Sequence, residues 1–186
     1  MAARTQFDPS KAPDDDKLKE LMLYVAWKSQ TDPRFGATKL NKILFYADAH
    51  FFAQKQRSIT GHSYQRNLFG PTLRLYPKMQ AQLESEGRAR VQTADYCGKS
   101  QKRLVPFARP ELGRFSADEI ALVDEVIEQC WSYTGKDLSD RTHEHPCWRA
   151  FRQGDDIPLG AIFVTNRPLT DEEQAHIKRL VPSVRR

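Results

Sequence analysis

A mainly α-helical single domain, assembled around a central buried helix with a small β-hairpin as its minor strand component, is the fold class this sequence predicts. Three observations carry that expectation. Residues 38–54 (TKLNKILFYADAHFFAQ) are apolar on two sides of a helix: at 100° per residue Leu40, Ile43, Leu44, Ala47 and Phe51 share one stripe, while Phe45 and Phe52 lie well round from it. A helix apolar on two sides belongs inside a domain. The segments SADE (116–119), TGKD (134–137) and TDEE (170–173) are helix starts in which a Ser or Thr can cap the chain and an acid three residues on can answer it. Residues 88–92 and 102–106, on either side of a loop containing Gly98, read as two short strands.

Residues 1–13 are polar, contain Pro9 and Pro13, and read as a flexible arm. Asp14, Asp15 and Asp16 then set negative charge at a helix N-terminus, and Leu18, Leu21, Met22 and Val25 follow at helical spacing to about Gln30. Residues 31–36 form a Pro- and Gly-containing connector, short enough to fold this helix antiparallel against the central one. In the central helix Asn41 and Asp48 fall on nearly one line between the apolar sectors, where burial obliges pairing. Asp48 is expected to meet an arginine such as Arg74, or main-chain N–H groups, in preference to acting as a site with a raised pKa. Lys39, Lys42, Tyr46 and His50 occupy the opposite face, toward solvent or a partner.

The run SITG (58–61) is turn chemistry, residues 64–69 suit a strand, and Gly70-Pro71 is expected to stop it. A third helix runs from about Tyr76 to Gly87, with Pro77 in its first turn and Met79 and Leu83 inward. The SADE helix has Phe115 and Ile120 placed for a hydrophobic staple. Ile120, Val123, Ile127, Cys130 and Trp131 line one side, with Leu122 and Val126 beside them. A short helix from Thr134 ends near His143, Pro146 prevents its continuation, and Trp148, Phe151 and Ile157 tie the next loop to the core. Residues 161–164 suit a short strand, and a last helix runs from Thr170 to about Val181 before the basic Arg185 and Arg186. The expected organisation is an arm over 1–13, a helical domain over 14–165, and a C-terminal helix with a basic tail over 166–186.

A chain of 186 residues buries roughly 70% of its unfolded surface, so it needs neither disulfide nor metal to fold. Its three cysteines are an odd number at wide spacings, which points to a reducing compartment. No apolar run approaches the roughly 18 residues of a membrane span, and the first residues lack a signal-peptide core, so a cytoplasmic protein without membrane partners is expected. The net charge is +5, and the pI is near 9.2. The excess is local: Arg88, Arg90, Lys99, Lys102, Arg103 and Arg109 stand against Asp95 alone.

Cys130, His143, His145 and Cys147 lack the paired short spacings of zinc modules, so no metal is expected; His143 is read as a helix cap or as bonded to a backbone carbonyl, and Cys130 as ordinary core. There is no G-x-S-x-G elbow, phosphate loop, dinucleotide fingerprint or H-E-x-x-H, and Asp155-Asp156 and Asp14 to Asp16 read as a loop and a helix start. No catalytic residue, cofactor or enzyme activity is expected. A helix followed by a basic hairpin outlines a winged helix, so nucleic-acid binding through 88–106 is the alternative function.

The runs T-K-L-N-K-I-L-F-Y-A-D (38–48), I-T-G-x-x-Y-Q (59–65), F-G-P (69–71) and L-S-D-x-x-H (138–143), with Gly87 and Trp148, resemble in this order the Panacea domain. That family includes SocA-type antitoxins and proteolytic adaptors of bacteria and phages. The resemblance covers roughly residues 15–165. It implies a mostly helical fold with a small sheet, no catalysis, and a protein partner, a toxin encoded nearby, that is bound and neutralised by contact. An adaptor delivering its partner to a protease is a variant of the same reading. Lys39, Asn41, Asp48, Gly70, Pro71, His143 and Trp148 sit at family-pattern positions and are expected to hold the scaffold. Where many members read W-x-Y-G-P-V-V, this chain has R-N-L-F-G-P-T-L at 66–73. The expected contact surface is Tyr64, Arg66 and Arg74 beside the Gly-Pro turn, with Phe69 read as core, together with Arg88, Arg90, Lys102 and Arg103 on the hairpin. Reversing Arg88, Arg90 and Lys102 to Glu is expected to abolish binding without unfolding the domain.

Overall fold

The computed structural model describes residues 13–164, 167, 168, 170–172, 174 and 175. The N-terminal arm, save Pro13, and most of the C-terminal helix and tail lie outside the described residues; at the start of that last helix the Gln174 N–H donates to the Thr170 carbonyl at 2.9 Å. Helix α1 (Asp15–Lys28) begins where the Asp14 carboxylate accepts the Lys17 N–H at 2.8 Å. Its Leu18, Leu21, Met22 and Val25 are fully buried. Helix α2 (Ala37–Lys55) has 19 residues, of which Leu40, Ile43, Leu44, Phe45, Ala47, Phe51 and Phe52 are buried on more than one side. It is therefore the central rod of the domain, touched by α1, α4 (Ala117–Cys130) and α5 (Gly135–Glu144). That enclosure overturns the expected solvent face for two of its residues. Lys39 and Lys42 are each 1% exposed, whereas Tyr46 is half-buried and His50 exposed.

Strands β1 (Tyr64–Asn67) and β2 (Gly70–Leu73) pair antiparallel with Asn67 opposite Gly70, so Gly70-Pro71 opens a strand rather than ending one. Pro71 is tolerated because β2 is an edge: the order is β2-β1-β5, with β5 (Asp156–Ile157) on the far side of β1. Residues 161–164, expected as a strand, lie instead in and just after a 3-10 turn over Leu159–Phe163. Helix α3 (Tyr76–Ser85) buries Met79 and Leu83. Strands β3 (Ala89–Tyr96) and β4 (Lys99–Pro106) are longer than the sequence suggested. Cys97 and Gly98 between them both take positive φ, 52° and 74°, as a two-residue hairpin turn that follows the strand twist demands.

The SADE start is a capping box: the Glu119 N–H donates to Ser116 Oγ at 3.3 Å and the Ser116 N–H to Glu119 Oε2 at 2.9 Å. Leu122, Val123, Val126, Ile127 and Cys130 face the core, while Trp131, expected among them, is 37% exposed. Thr134 and Asp137 cap α5 in the same way. A further short helix, α6 (Pro146–Arg149), follows, and its cap is His145, whose Nδ1 accepts the Cys147 N–H at 3.2 Å. Trp148 and Ile157 join Cys147 and Ala161 in a small second core, with Phe151 packed on it.

Candidate functional site

Four polar side chains of α2 are buried, and each bonds a segment without helical structure of its own. Lys39 Nζ spends its three N–H groups on Asp32 Oδ2 at 2.5 Å, the Trp131 carbonyl at 2.9 Å and the Tyr133 carbonyl at 2.8 Å. It thereby ties the α1–α2 connector to the α4–α5 connector. Asn41 accepts the Leu73 N–H at 3.2 Å and donates to the Ala37 carbonyl at 3.0 Å. Lys42 donates to the Pro71 carbonyl at 3.2 Å, with no carboxylate paired to it among the described residues, and burial lowers its pKa to about 7. Asp48, completely buried, accepts from the Ile59 N–H at 2.7 Å, the Thr60 N–H at 3.1 Å, Thr60 Oγ1 at 2.9 Å and the Tyr64 hydroxyl at 2.8 Å. Of the two expected partners of Asp48, the main-chain N–H groups are present and Arg74 is not: Arg74 pairs with Asp156 at 2.8 Å. Burial raises the Asp48 pKa, and the four donors only partly oppose it.

The same helix sets the position of the β1–β2 hairpin. Gly70, at φ 99°, packs where a Cβ would collide with Lys42 Nζ and lie 2.6 Å from Thr142 Oγ1, so no other residue fits. Ser139 Oγ donates to the Phe69 carbonyl at 2.7 Å. Near the turn end of β1 the Arg66 guanidinium lies 4.3 Å over the Trp148 ring and donates to the Trp148 carbonyl at 3.1 Å, while His143 stacks on Trp148 with ring centroids 4.5 Å apart. Among the described residues His143 caps no helix and bonds no carbonyl, and its buried Nε2 has no hydrogen-bond partner; burial followed by the nearby Lys42 charge lowers its pKa. Leu68 and Phe69, by contrast, project from this anchored turn at 67% and 62% exposure. Phe69 is thus not core. Its neighbours in sequence hold the backbone so that its side chain points away.

Other expected surface residues divide into free and committed. Tyr64 is buried under Asp48 and is no contact residue. Arg88 forms a two-pronged pair with the buried Glu20, at 2.7 and 2.9 Å, and Arg103 donates to the Asp32 and Gln30 carbonyls at 2.8 and 3.1 Å. Burial by itself would raise the Glu20 pKa, but the Arg88 fork and the Glu111 N–H outweigh it and hold the carboxyl below its usual value. Arg90 and Lys102 are exposed. Sequence reasoning missed Leu68, Glu20 and the buried Lys17–Glu119 pair at 2.8 Å. The capping box at Glu119 was visible, but its second partner, 102 residues away, was not.

Among the described residues no three His, Cys, Asp or Glu side chains converge as a metal site requires. Burial pushes the Cys130 thiol up to about 11, away from the reactive range. Nor is any helix among them long and apolar enough to cross a membrane. No curated protein and no solved structure matches the chain. A family model does: that of the SocA-like antitoxins, the Panacea domain, matches residues 40–149, from the first turn of α2 to the end of α6. That match takes in more than half of the chain, with Asn41, Lys42, Asp48, Gly70 and Trp148 inside it, and on that ground the protein belongs to the SocA-like antitoxin family and carries a Panacea domain.

Proposed function

We propose that this protein neutralises a cognate toxin protein, encoded nearby, by direct contact and without turnover, and that the Leu68-Phe69 tip is the centre of the contact surface. The observation that carries the reading is two adjacent large apolar side chains left exposed on a backbone tied down by Ser139, Lys42 and the Arg66–Trp148 stack. Covering such side chains contributes about 25 cal/mol per Å² of apolar surface. Because the turn is already held in place, little ordering entropy opposes the gain. Arg74, exposed at the foot of β2 and paired with the exposed Asp156, supplies a polar rim.

Co-expression with the product of the neighbouring open reading frame tests this. The parent chain is expected to restore growth and to co-purify with that product; Phe69→Glu is expected to weaken binding about 30-fold or more with the melting temperature unchanged. Full rescue by Phe69→Glu would remove the tip from the interface. A second reading, nucleic-acid binding, is favoured by Arg90, Lys99, Lys102 and Arg109, exposed on and just beyond the β3–β4 hairpin and free of ion pairs among the described residues. It predicts affinity falling log-linearly with salt. A partly apolar protein interface predicts a shallow salt response.

A further inference from the structure

Between its ends, α2 reaches the surface along a single stripe. Tyr46 and His50 emerge there one helical turn apart, with ring centroids separated by 6.1 Å. Two cavities of about 430 and 210 Å³ open on this stripe and share Tyr46, His50 and Arg141, so they form one groove. Val126 and Leu138 wall one end, Ala49 and Ile162 the other. Among the described residues Arg141 is the only Arg or Lys in the lining, no Asp or Glu accompanies it there, and its guanidinium, 4.7 Å over the Tyr133 ring, makes no ion pair. Burial raises the Tyr46 pKa above the usual tyrosine range, yet its hydroxyl has no hydrogen-bond partner among the described residues.

An uncompensated guanidinium beside a free phenol, set over apolar walls, attracts a carboxylate more strongly than it would in open water. It repels a lysine or arginine. A single arginine is too little charge for a phosphate backbone, whose binding neutralises several phosphates at once.

We infer that this groove is a second docking site for the protein partner, taking a segment in which one Asp or Glu lies between apolar side chains. The inference rests on the toxin-binding reading for the owner of that segment. It does not depend on the Leu68-Phe69 tip, neither residue of which lines the groove.

Panning a random peptide library against the full-length chain, then measuring the selected peptides by fluorescence polarisation, tests the groove. The expected consensus is an acid flanked by apolar residues. Arg141→Glu should weaken those peptides about tenfold or more; Arg141→Lys should retain most of the affinity, and Phe69→Glu should leave it unchanged. Arg141 is exposed, so equal melting temperatures are expected and show that the variants fold. No enrichment, a consensus without an acid, or indifference to Arg141→Glu overturns the inference. Growth assays separate the two readings. If the parent chain fails to rescue growth, the toxin reading falls while the peptide result still judges the groove; if it rescues growth and the peptides fail, the groove alone falls.

Discussion

Replacing Asp48 by alanine strips the Ile59 and Thr60 amides, the Thr60 hydroxyl and the Tyr64 hydroxyl of a shared acceptor in a place that water does not reach. Each buried donor left without a partner costs about 1–3 kcal/mol, so Asp48→Ala is expected to lose about 3 kcal/mol or more in urea unfolding. Asp48→Asn is expected to lose less, because its amide oxygen can still accept both backbone N–H groups. An unchanged midpoint for the alanine variant would mean that the carboxylate is not the acceptor described. Polarity was legible at Asn41 and Asp48 because apolar residues flank them. It was misread at Lys39 and Lys42, since a lysine on a helix normally reaches water. The Asp32 carboxylate and the carbonyls of Trp131, Tyr133 and Pro71 give those two amines somewhere to go, and the three carbonyls come from distant stretches.

Among the elements, the β3–β4 hairpin carries two kinds of arginine and lysine that look alike in sequence. Arg88 just before it closes a pair with a glutamate that is only 2% exposed, and Glu20 also accepts the Glu111 N–H at 2.8 Å. Arg88→Glu is therefore expected to destabilise the domain by about 3 kcal/mol or more, because it removes the partner of the buried Glu20 and sets a second carboxylate against it. Arg90→Glu with Lys102→Glu should leave the melting temperature within error. Thermal unfolding of the two variants side by side checks this, and it replaces the expected triple reversal, which would have confused unfolding with lost binding. Helix starts were read correctly because a cap is a local contact of a few residues. The β1–β2 hairpin is not legible in that way, since Gly70-Pro71 reads as a stop and opens a strand only because β2 lies at the edge of the sheet. Phe69, expected in the core, lies in the turn between the two strands and is exposed.

For the molecule as a whole, the buried ionisable groups set how stability depends on pH. Burial would raise Glu119, but Lys17, the Ser116 N–H and Arg57 outweigh it and the net shift is downward; Glu20 behaves likewise. Both contribute stability above the ordinary glutamate value of 4.5 that is lost as pH falls through their lower folded values. Lys42 acts at the other end. Its folded pKa of about 7 lies below the ordinary 10.5, so the folded state disfavours its charge and stability from this group rises as pH climbs from 7 toward 10.5. Calorimetry of Lys42→Met against the parent should show the variant's relative advantage largest near about pH 6 and shrinking by about pH 10; a constant difference would mean that Lys42 is not the group responsible. By itself the sequence determined the helix starts, the periodicity that makes 38–54 an interior rod, the basic hairpin and the family resemblance, all of which depend on residues close together in the chain or on their order along it. The tertiary structure alone decided which polar groups of that rod are buried, which arginines are free, and that Leu68, Phe69 and the Tyr46–His50 stripe face outward. Burial is set by what packs from elsewhere: the partners that enclose Lys39 come from residues as far as 94 positions along the chain.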